Sequence, residues 1–169
     1  MVKHPLTVDE LRVWCERLVQ QLAVPMPLDP YVLCQQLARH RGRPIKIRTA
    51  DLGGTTTIGH LVAKRRSDLI ICDAAAPTPQ RTLIICHEVI HLIRHDVDSG
   101  VSLTCGEPIG TAAIPAGPPG SMYSDWWEWE AETGARILAA MADRRQRPDQ
   151  PVCTGGAELS LAAAFGLRI

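Results

Sequence analysis

Two histidines and a glutamate lie close together near the middle of the chain, in His87-Glu88-Val89-Ile90-His91, which matches the pattern H-E-x-x-H. On an α-helix, residues four apart lie within about 40° of each other, so both imidazoles face one side. Two imidazoles placed in this way can bind one metal ion, and Glu88 can bind or deprotonate a water on that metal. The spacing therefore predicts a site for one zinc ion, with His87 and His91 as ligands and Glu88 as the catalytic base.

The motif lies in a segment that reads as a buried helix, beginning at Thr78-Pro79 and ending before Gly100. Its apolar side chains are Leu83, Ile84, Ile85, Val89, Ile90, Leu92 and Ile93. Burying two histidines and a glutamate among them is costly unless they have partners. The alternative is a pair of satisfied core histidines beside a surface glutamate, and zinc binding is the better interpretation.

A catalytic zinc has three protein ligands and one open position, so a third ligand is needed. His95 is eight residues from His87, about 12 Å along a straight helix, which is too far for both to bind one ion. The extended pattern H-E-x-x-H-x-x-G-x-x-H also fails, because its later positions hold Arg94 and Val97. The third ligand must come from another element.

A last long helix is predicted from Trp126 to about Ala142, with Asp125 as its N-cap. Glu128 lies on its predicted core face, and the positions within about 80° of Glu128 are Ala131, Glu132, Ala135, Leu138, Ala139 and Ala142. Small alanines favour a close approach to the histidine helix, so Glu128 is the candidate third ligand.

Two other glutamates of this helix receive different interpretations. Glu132, one turn beyond Glu128, is placed to accept the outward N–H of a ligating histidine, which is the usual supporting role around a metal. Glu130 points about 160° away from Glu128 and is expected on a solvated helix face.

Two N-terminal helices are the first of the elements that are expected to position the site. Thr7-x-x-Glu10 is a capping box that starts the first, and Asp29-Pro30 starts the second, which stops at Gly42. The proline-rich joint between them is unlike the short turn of a helix-turn-helix, so we expect scaffold helices rather than a DNA reader.

Three short strands are predicted: Ile45–Arg48, Thr55–Lys64 with a possible bulge at Gly59, and Asp68–Asp73. They suggest an α+β fold, in which a small antiparallel sheet of about three strands packs against helices in a minimal zincin-like core. Residues 97–124 lack periodicity and should form a long loop beside the cleft. Residues 157–165 could form a short final helix.

The net charge and the cysteine spacing of the chain argue against several classes of protein. Lys+Arg and Asp+Glu are both 18, giving a formal net charge of +0, so nothing suggests direct binding to nucleic acid or an anionic membrane. The six cysteines are scattered, with no C-x-x-C pair, and no secretory signal or bilayer-spanning run is visible. We expect one cytoplasmic domain over 1–169, divided into N-terminal helices (1–44), a zinc-binding core (45–142) and a tail (143–169).

The sequence resembles the ImmA/IrrE family of metallopeptidases in two stretches. The first runs from Gln80 through the H-E-x-x-H motif to His95 and is preceded by the strand DLIICD. The second, Glu128 to Ala135 (EWEAETGA), is similar to the family's E-x-x-A-N/D-x-F-A helix, with Glu132 in place of Asn or Asp and Gly134 in place of Phe.

The resemblance implies gluzincin-type chemistry, with His87, His91 and Glu128 on zinc and Glu88 as general base. It also implies a protein substrate, such as a helix-turn-helix repressor of a phage or mobile element. We therefore expect a zinc-dependent endopeptidase, with His95, Tyr123 or Tyr31 as candidate stabilisers of the transition state. The alternative is a regulatory binding module that keeps the metallopeptidase fold but has little or no proteolytic activity.

Overall fold

The computed structural model describes residues 4–52, 59–94, 102–105 and 123–143, with the backbone alone at 102–105 and 123–125. Four helices and four strands follow in the order α1 (Val8–Gln21), α2 (Pro30–Arg41), β1 (Ile45–Ala50), β2 (Gly59–Ala63), β3 (Asp68–Asp73), α3 (Thr78–Arg94), β4 (Ser102–Cys105) and α4 (Tyr123–Asp143). The predicted α+β class is confirmed. One hydrophobic cluster draws side chains from all four helices and from β2 and β3.

The first two helices begin at the predicted residues, and α2 also ends at the predicted one. Thr7 and Glu10 form a reciprocal capping box at the start of α1, in which the Thr7 amide donates to the Glu10 carboxylate at 2.8 Å. Asp29 caps α2 by accepting from the Tyr31 amide at 2.8 Å, and Gly42 ends the helix with a φ of 62°. These ends form as predicted because each cap is a contact between residues only a few positions apart.

The sheet has the strand order β1-β3-β2-β4 and is mixed. β2 pairs antiparallel with β3 and with β4, whereas β1 pairs with β3 in parallel, from Ile45 opposite Asp68 to Ala50 opposite Asp73. The expectation of an antiparallel sheet is therefore wrong for the β1–β3 pair. The fourth strand, β4, lies within residues 97–124, so the expectation of a loop there is also wrong for residues 102–105.

Ion pairs around Asp68 explain the parallel pairing. The Asp68 carboxylate is fully buried and contacts Arg41 at 2.8 Å and Arg43 at 2.6 Å, and the Asp68 amide donates to the Pro44 carbonyl at 2.8 Å. These contacts fix the start of β3 against the short segment between α2 and β1. The two strands therefore begin at the same edge and run in the same direction.

Helix α3 lies at the centre of the fold and packs closely against α4. Its side chains Ile85, Val89 and Ile90 are fully buried, and so are Ala131 and Leu138 of α4. A β-carbon on Gly134 would lie 2.9 Å from Ile90 Cδ1, so glycine permits this close approach of the two helices. The two helices expected to carry the metal ligands are thus in direct contact.

The start of α4 differs from the prediction. The helix begins at Tyr123, so Asp125 lies within its first turn and is not the N-cap. An acidic residue is favourable both at the N-cap and in the first turn of a helix, because the first-turn N–H groups and the helix dipole attract negative charge. The predicted final helix at 157–165 lies outside the described residues.

Four cysteines, Cys15, Cys34, Cys72 and Cys86, are buried and free. Burial raises the pKa of the Cys15 and Cys34 thiols to about 12 and that of Cys72 to about 11. High pKa values keep these thiols protonated and unreactive. Within the described part of the chain, no helix combines the length and the apolar character needed to cross a bilayer.

Candidate metal centre

Helix α3 places both histidines of the H-E-x-x-H motif on one buried face. His87 is 9 % exposed and His91 is 1 % exposed, because α4 covers this side of α3. Their rings meet edge to face with centroids 4.7 Å apart, and the two Nε2 atoms are 3.0 Å apart. The Nε2 atoms of both rings therefore point towards one place, as the helical spacing predicts.

Glu128 of α4 brings a carboxylate to this point. Its Oε2 lies 3.3 Å from His87 Nε2, and its Oε1 lies 3.4 Å from His91 Nε2. Ligands bound to zinc at about 2.0–2.1 Å in a tetrahedron are about 3.3 Å apart, so these separations suit one shared ion. In the described residues, His87, His91 and Glu128 form a group that could hold a metal ion.

Glu128 is ionised in this arrangement. Burial raises the pKa of its carboxyl, but hydrogen bonds with His87 and His91 and the charges of those rings act more strongly in the other direction. The net result holds the pKa of Glu128 well below its usual range. A carboxylate oxygen beside two imidazoles is a donor set that suits zinc.

Glu132 approaches the other nitrogen of His87, as the sequence suggests. Its Oε2 is 3.6 Å from His87 Nδ1, which is an ion-pair distance and slightly too long for a hydrogen bond. Its Oε1 contacts Arg136 Nη2 at 2.8 Å, one turn further along α4. Arg136 therefore holds Glu132 beside the imidazole, where it can orient the ring and favour one tautomer.

Glu88 lies beneath strand β2 and is fully buried. A β-carbon on Gly59 would lie 3.0 Å from Glu88 Oε1 and 2.7 Å from Ile84 Cγ2. Gly59 pairs regularly with Cys72 and Cys105 in the sheet, so the predicted bulge is wrong. Glycine lets the strand pass directly over the side chains of Ile84 and Glu88 without displacing them.

Glu130 is fully buried, and its expected place on a solvated face is wrong. Its carboxylate contacts Arg94 Nη2 at 2.9 Å and accepts from the Leu6 amide at 2.7 Å. No local pattern indicates that Glu130 is buried, because Leu6 and Arg94 belong to distant segments that cover this side of α4. Conversely, the Glu128 side chain is 51 % exposed and lies at the edge of the buried face.

The candidate transition-state stabilisers are only partly described. His95 and the side chain of Tyr123 lie outside the described residues. Tyr31 is 43 % exposed and lines a groove of about 530 Å³ that also includes Thr78, at the start of α3, and Arg136. His87, His91 and Glu128 do not line this groove, and Thr78 precedes His87 by nine residues, or about 13 Å of helix.

No family model and no curated protein sequence matches this chain. The chain is a small α+β protein in which two packed helices bring two imidazoles and one carboxylate together as a group that could hold a metal ion.

Proposed function

We propose that this protein is a zinc-dependent endopeptidase of the gluzincin type, in which His87, His91 and Glu128 hold one zinc ion. The observation that carries the proposal is the convergence of these three donors, 3.0 to 3.4 Å apart, beside Glu88 on the same helix. Around the α3 axis, Glu88 projects about 60° away from His91. In an H-E-x-x-H site, this position places the glutamate next to a metal-bound water, where it can act as a base.

Several side chains of the protein would have separate roles in peptide hydrolysis. A zinc ion at this site would lower the pKa of a bound water towards neutrality and polarise the scissile carbonyl. Glu88 would take the proton of the attacking water and deliver it to the leaving amine. Glu132, held by Arg136, would keep the His87 ring in its ligating orientation.

The proposed substrate is a polypeptide. The exposed side of Glu128 is where a peptide would approach the metal group. The likeness of residues 80–95 and 128–135 to the ImmA/IrrE family supports a specific protein substrate, such as a helix-turn-helix repressor. A cytoplasmic location is part of the same proposal.

One observation favours a second candidate, a regulatory binding module with a structural metal. Glu88 is fully buried beneath β2, whereas a general base must reach the water that it deprotonates. In this alternative the metal joins α3 to α4, and the protein acts by docking onto a partner.

Metal analysis and a peptidase assay on the same preparations test the proposal. The wild type should bind one zinc ion, and His87→Ala and His91→Ala should lose it. Glu88→Gln should keep the zinc but lose activity on an unstructured fluorogenic peptide by about a hundredfold or more. Glu16→Gln, an exposed glutamate of α1, is the matched control and should retain both.

The outcomes separate the two candidates. Zinc bound stoichiometrically with no Glu88-dependent cleavage would favour the regulatory module. A wild type without stoichiometric zinc, or zinc content unchanged in both histidine variants, would refute both.

A further inference from the structure

Two short segments of the chain carry many of its basic side chains. One is the end of α2 with the start of β1, and the other is the turn between β2 and β3. Together they contribute seven arginine and lysine side chains: Arg39, Arg41, Arg43, Lys46, Lys64, Arg65 and Arg66. No aspartate or glutamate occurs in residues 30–50 or 59–67, so neither segment supplies negative charge of its own.

The fold brings these two segments together at one edge of the sheet. The buried Asp68 carboxylate, at the start of β3, pairs with Arg41 at 2.8 Å and with Arg43 at 2.6 Å. The Asp68 amide donates to the Pro44 carbonyl at 2.8 Å, and the Arg43 guanidinium donates to the Lys64 carbonyl. Residues 39–46 and 64–66 therefore form one continuous surface, which we call the basic edge.

The positive charge of the basic edge is largely uncompensated. Within the described part of the chain, Asp68 is the acidic side chain that pairs with it, while Lys46 and residues 64–66 are exposed and make no ion pair. The dipole of α2 favours basic residues at its end, but it does not account for the turn at 64–66, which belongs to another element. The formal net charge of +0 thus hides a strongly positive surface, which a partner with negative charge would stabilise.

We propose that the basic edge binds the phosphate backbone of a double-stranded nucleic acid without reading its base sequence. Interfaces with nucleic acids are polar and strongly positive, whereas the centre of a protein–protein interface is apolar and poor in charge. None of the exposed large apolar side chains of the described residues lies in the basic edge. Five of its seven basic side chains are arginines, whose guanidinium groups bind phosphate with two parallel hydrogen bonds.

Other anionic partners fit the basic edge less well. Single-stranded nucleic acids are bound largely by stacking of bases on aromatic rings, and residues 39–46 and 64–66 contain no Phe, Trp or Tyr. A hollow of about 650 Å³ adjoins the edge and is lined by Arg41 and Arg43. A flat anionic bilayer would contact only its rim, whereas a rounded sugar–phosphate strand can enter it. A duplex also presents one phosphate for about every 1.7 Å of its axis, so it can match several of these charges at once.

The basic edge lies close to the metal group without including its ligands. Leu92 and Ile93, which directly follow His91 in α3, line the same hollow as Arg41 and Arg43. Binding of a duplex at this surface does not require zinc. The further step, that duplex binding brings the protein to a repressor bound on DNA, rests on the proposed function.

Fluorescence anisotropy with the full chain tests the basic edge. The probe is a labelled DNA duplex of about 20 base pairs and mixed sequence, at about 50 mM salt, where phosphate contacts are strong. The wild type should bind it, and duplexes of different sequence should bind equally well. Arg65→Ala/Arg66→Ala should bind about tenfold more weakly. Its slope of log affinity against log salt should be smaller by about 2, because each phosphate contact contributes about 0.9.

A variant with the same change in net charge makes the result specific. Arg12→Glu and Arg65→Ala/Arg66→Ala both lower the net charge by 2, but Arg12 is an exposed residue of α1 outside the basic edge and its hollow. Arg12→Glu should therefore keep the salt slope of the wild type and most of its affinity. Thermal unfolding should be similar for all three proteins, because the substituted side chains are exposed.

Several outcomes would overturn the proposal. These are no binding of the duplex, an unchanged salt slope in Arg65→Ala/Arg66→Ala, or an equal loss in Arg12→Glu. Tighter binding of a single strand, a polyglutamate peptide or phosphatidylserine vesicles than of the duplex would also overturn it and assign the surface to that partner. An RNA duplex of the same sequence, whose phosphate backbone offers the same chemistry, shows which nucleic acid is preferred.

The two proposals can fail separately. Arg65→Ala/Arg66→Ala should retain the zinc content of the wild type and its Glu88-dependent cleavage of a free peptide, since neither arginine belongs to the metal group. Loss of zinc in this variant would contradict the separation of the two sites. A wild type that binds the duplex but holds no zinc would refute the proposed function and leave the basic edge supported.

Discussion

Arg94 of α3 and Glu130 of α4 form a buried ion pair, with 2.9 Å between Nη2 and Oε1. Arg94 follows His91 by three residues, and Glu130 follows Glu128 by two, so the pair joins the two ligand-bearing helices next to the metal group. Arg94 also donates to the His4 carbonyl and lies 5.9 Å over the ring of Trp14. The pair thus fixes α3, α4 and the N-terminal segment together.

Breaking this pair should strongly destabilise the fold. Arg94→Ala or Glu130→Ala leaves a buried charge without its main partner, and we expect a loss of about 3–5 kcal/mol in the free energy of unfolding. Urea denaturation measures the loss, with the exposed Glu16→Ala as control, expected within about 0.5 kcal/mol of wild type. A Glu130→Ala protein as stable as the control would show that the pair is unimportant.

Glu132→Ala should weaken zinc binding without abolishing it. The variant removes the carboxylate beside His87 Nδ1, and loss of such a supporting group typically lowers metal affinity by about ten- to a hundredfold. Arg136→Ala should have a smaller effect in the same direction, because Glu132 stays in place but is less firmly held. Competition with a zinc chelator measures both affinities, and an unchanged affinity in Glu132→Ala would contradict the supporting role.

Gly59→Ala should impair activity while sparing zinc. The new methyl group would have to displace Ile84 or the Glu88 carboxylate, and a shift of about 1 Å at a reacting group can cost about a hundredfold in rate. Gly134→Ala is the matched control, since its methyl group would press on Ile90 and not on Glu88. Equal loss of activity in the two variants at equal stability would mean that Gly59 has no special relation to the base.

The four buried thiols should be unreactive until the protein unfolds. In a Cys105→Ser/Cys153→Ser variant, only Cys15, Cys34, Cys72 and Cys86 remain. Their raised pKa values and burial should prevent reaction with Ellman's reagent at pH 8, and all four should react in guanidinium chloride. Fast reaction of any of them in the native protein would indicate an opening of the core that the fold does not predict.

Much of the site follows from the sequence, because its determinants are local. The pairing of His87 and His91 is set by helical spacing, and the starts of α1 and α2 are set by caps that involve neighbouring residues. These features depend on hydrogen bonds and geometry within one or two helical turns, which the order of residues determines directly. Glu128 also lies beside the histidines as expected, but at the exposed edge of α4 and not on the buried face that led to the expectation.

The tertiary structure alone decided which strands pair and which glutamate is buried. β1 lies beside β3 because Asp68 binds Arg41 and Arg43, a contact across 25 or more residues. Glu130 is buried and Glu128 half exposed because Leu6 and Arg94 cover one side of α4. Likewise, Gly59 is needed because β2 crosses Glu88. The periodicity of a helix shows which residues share a face, but burial depends on the distant segments that cover that face.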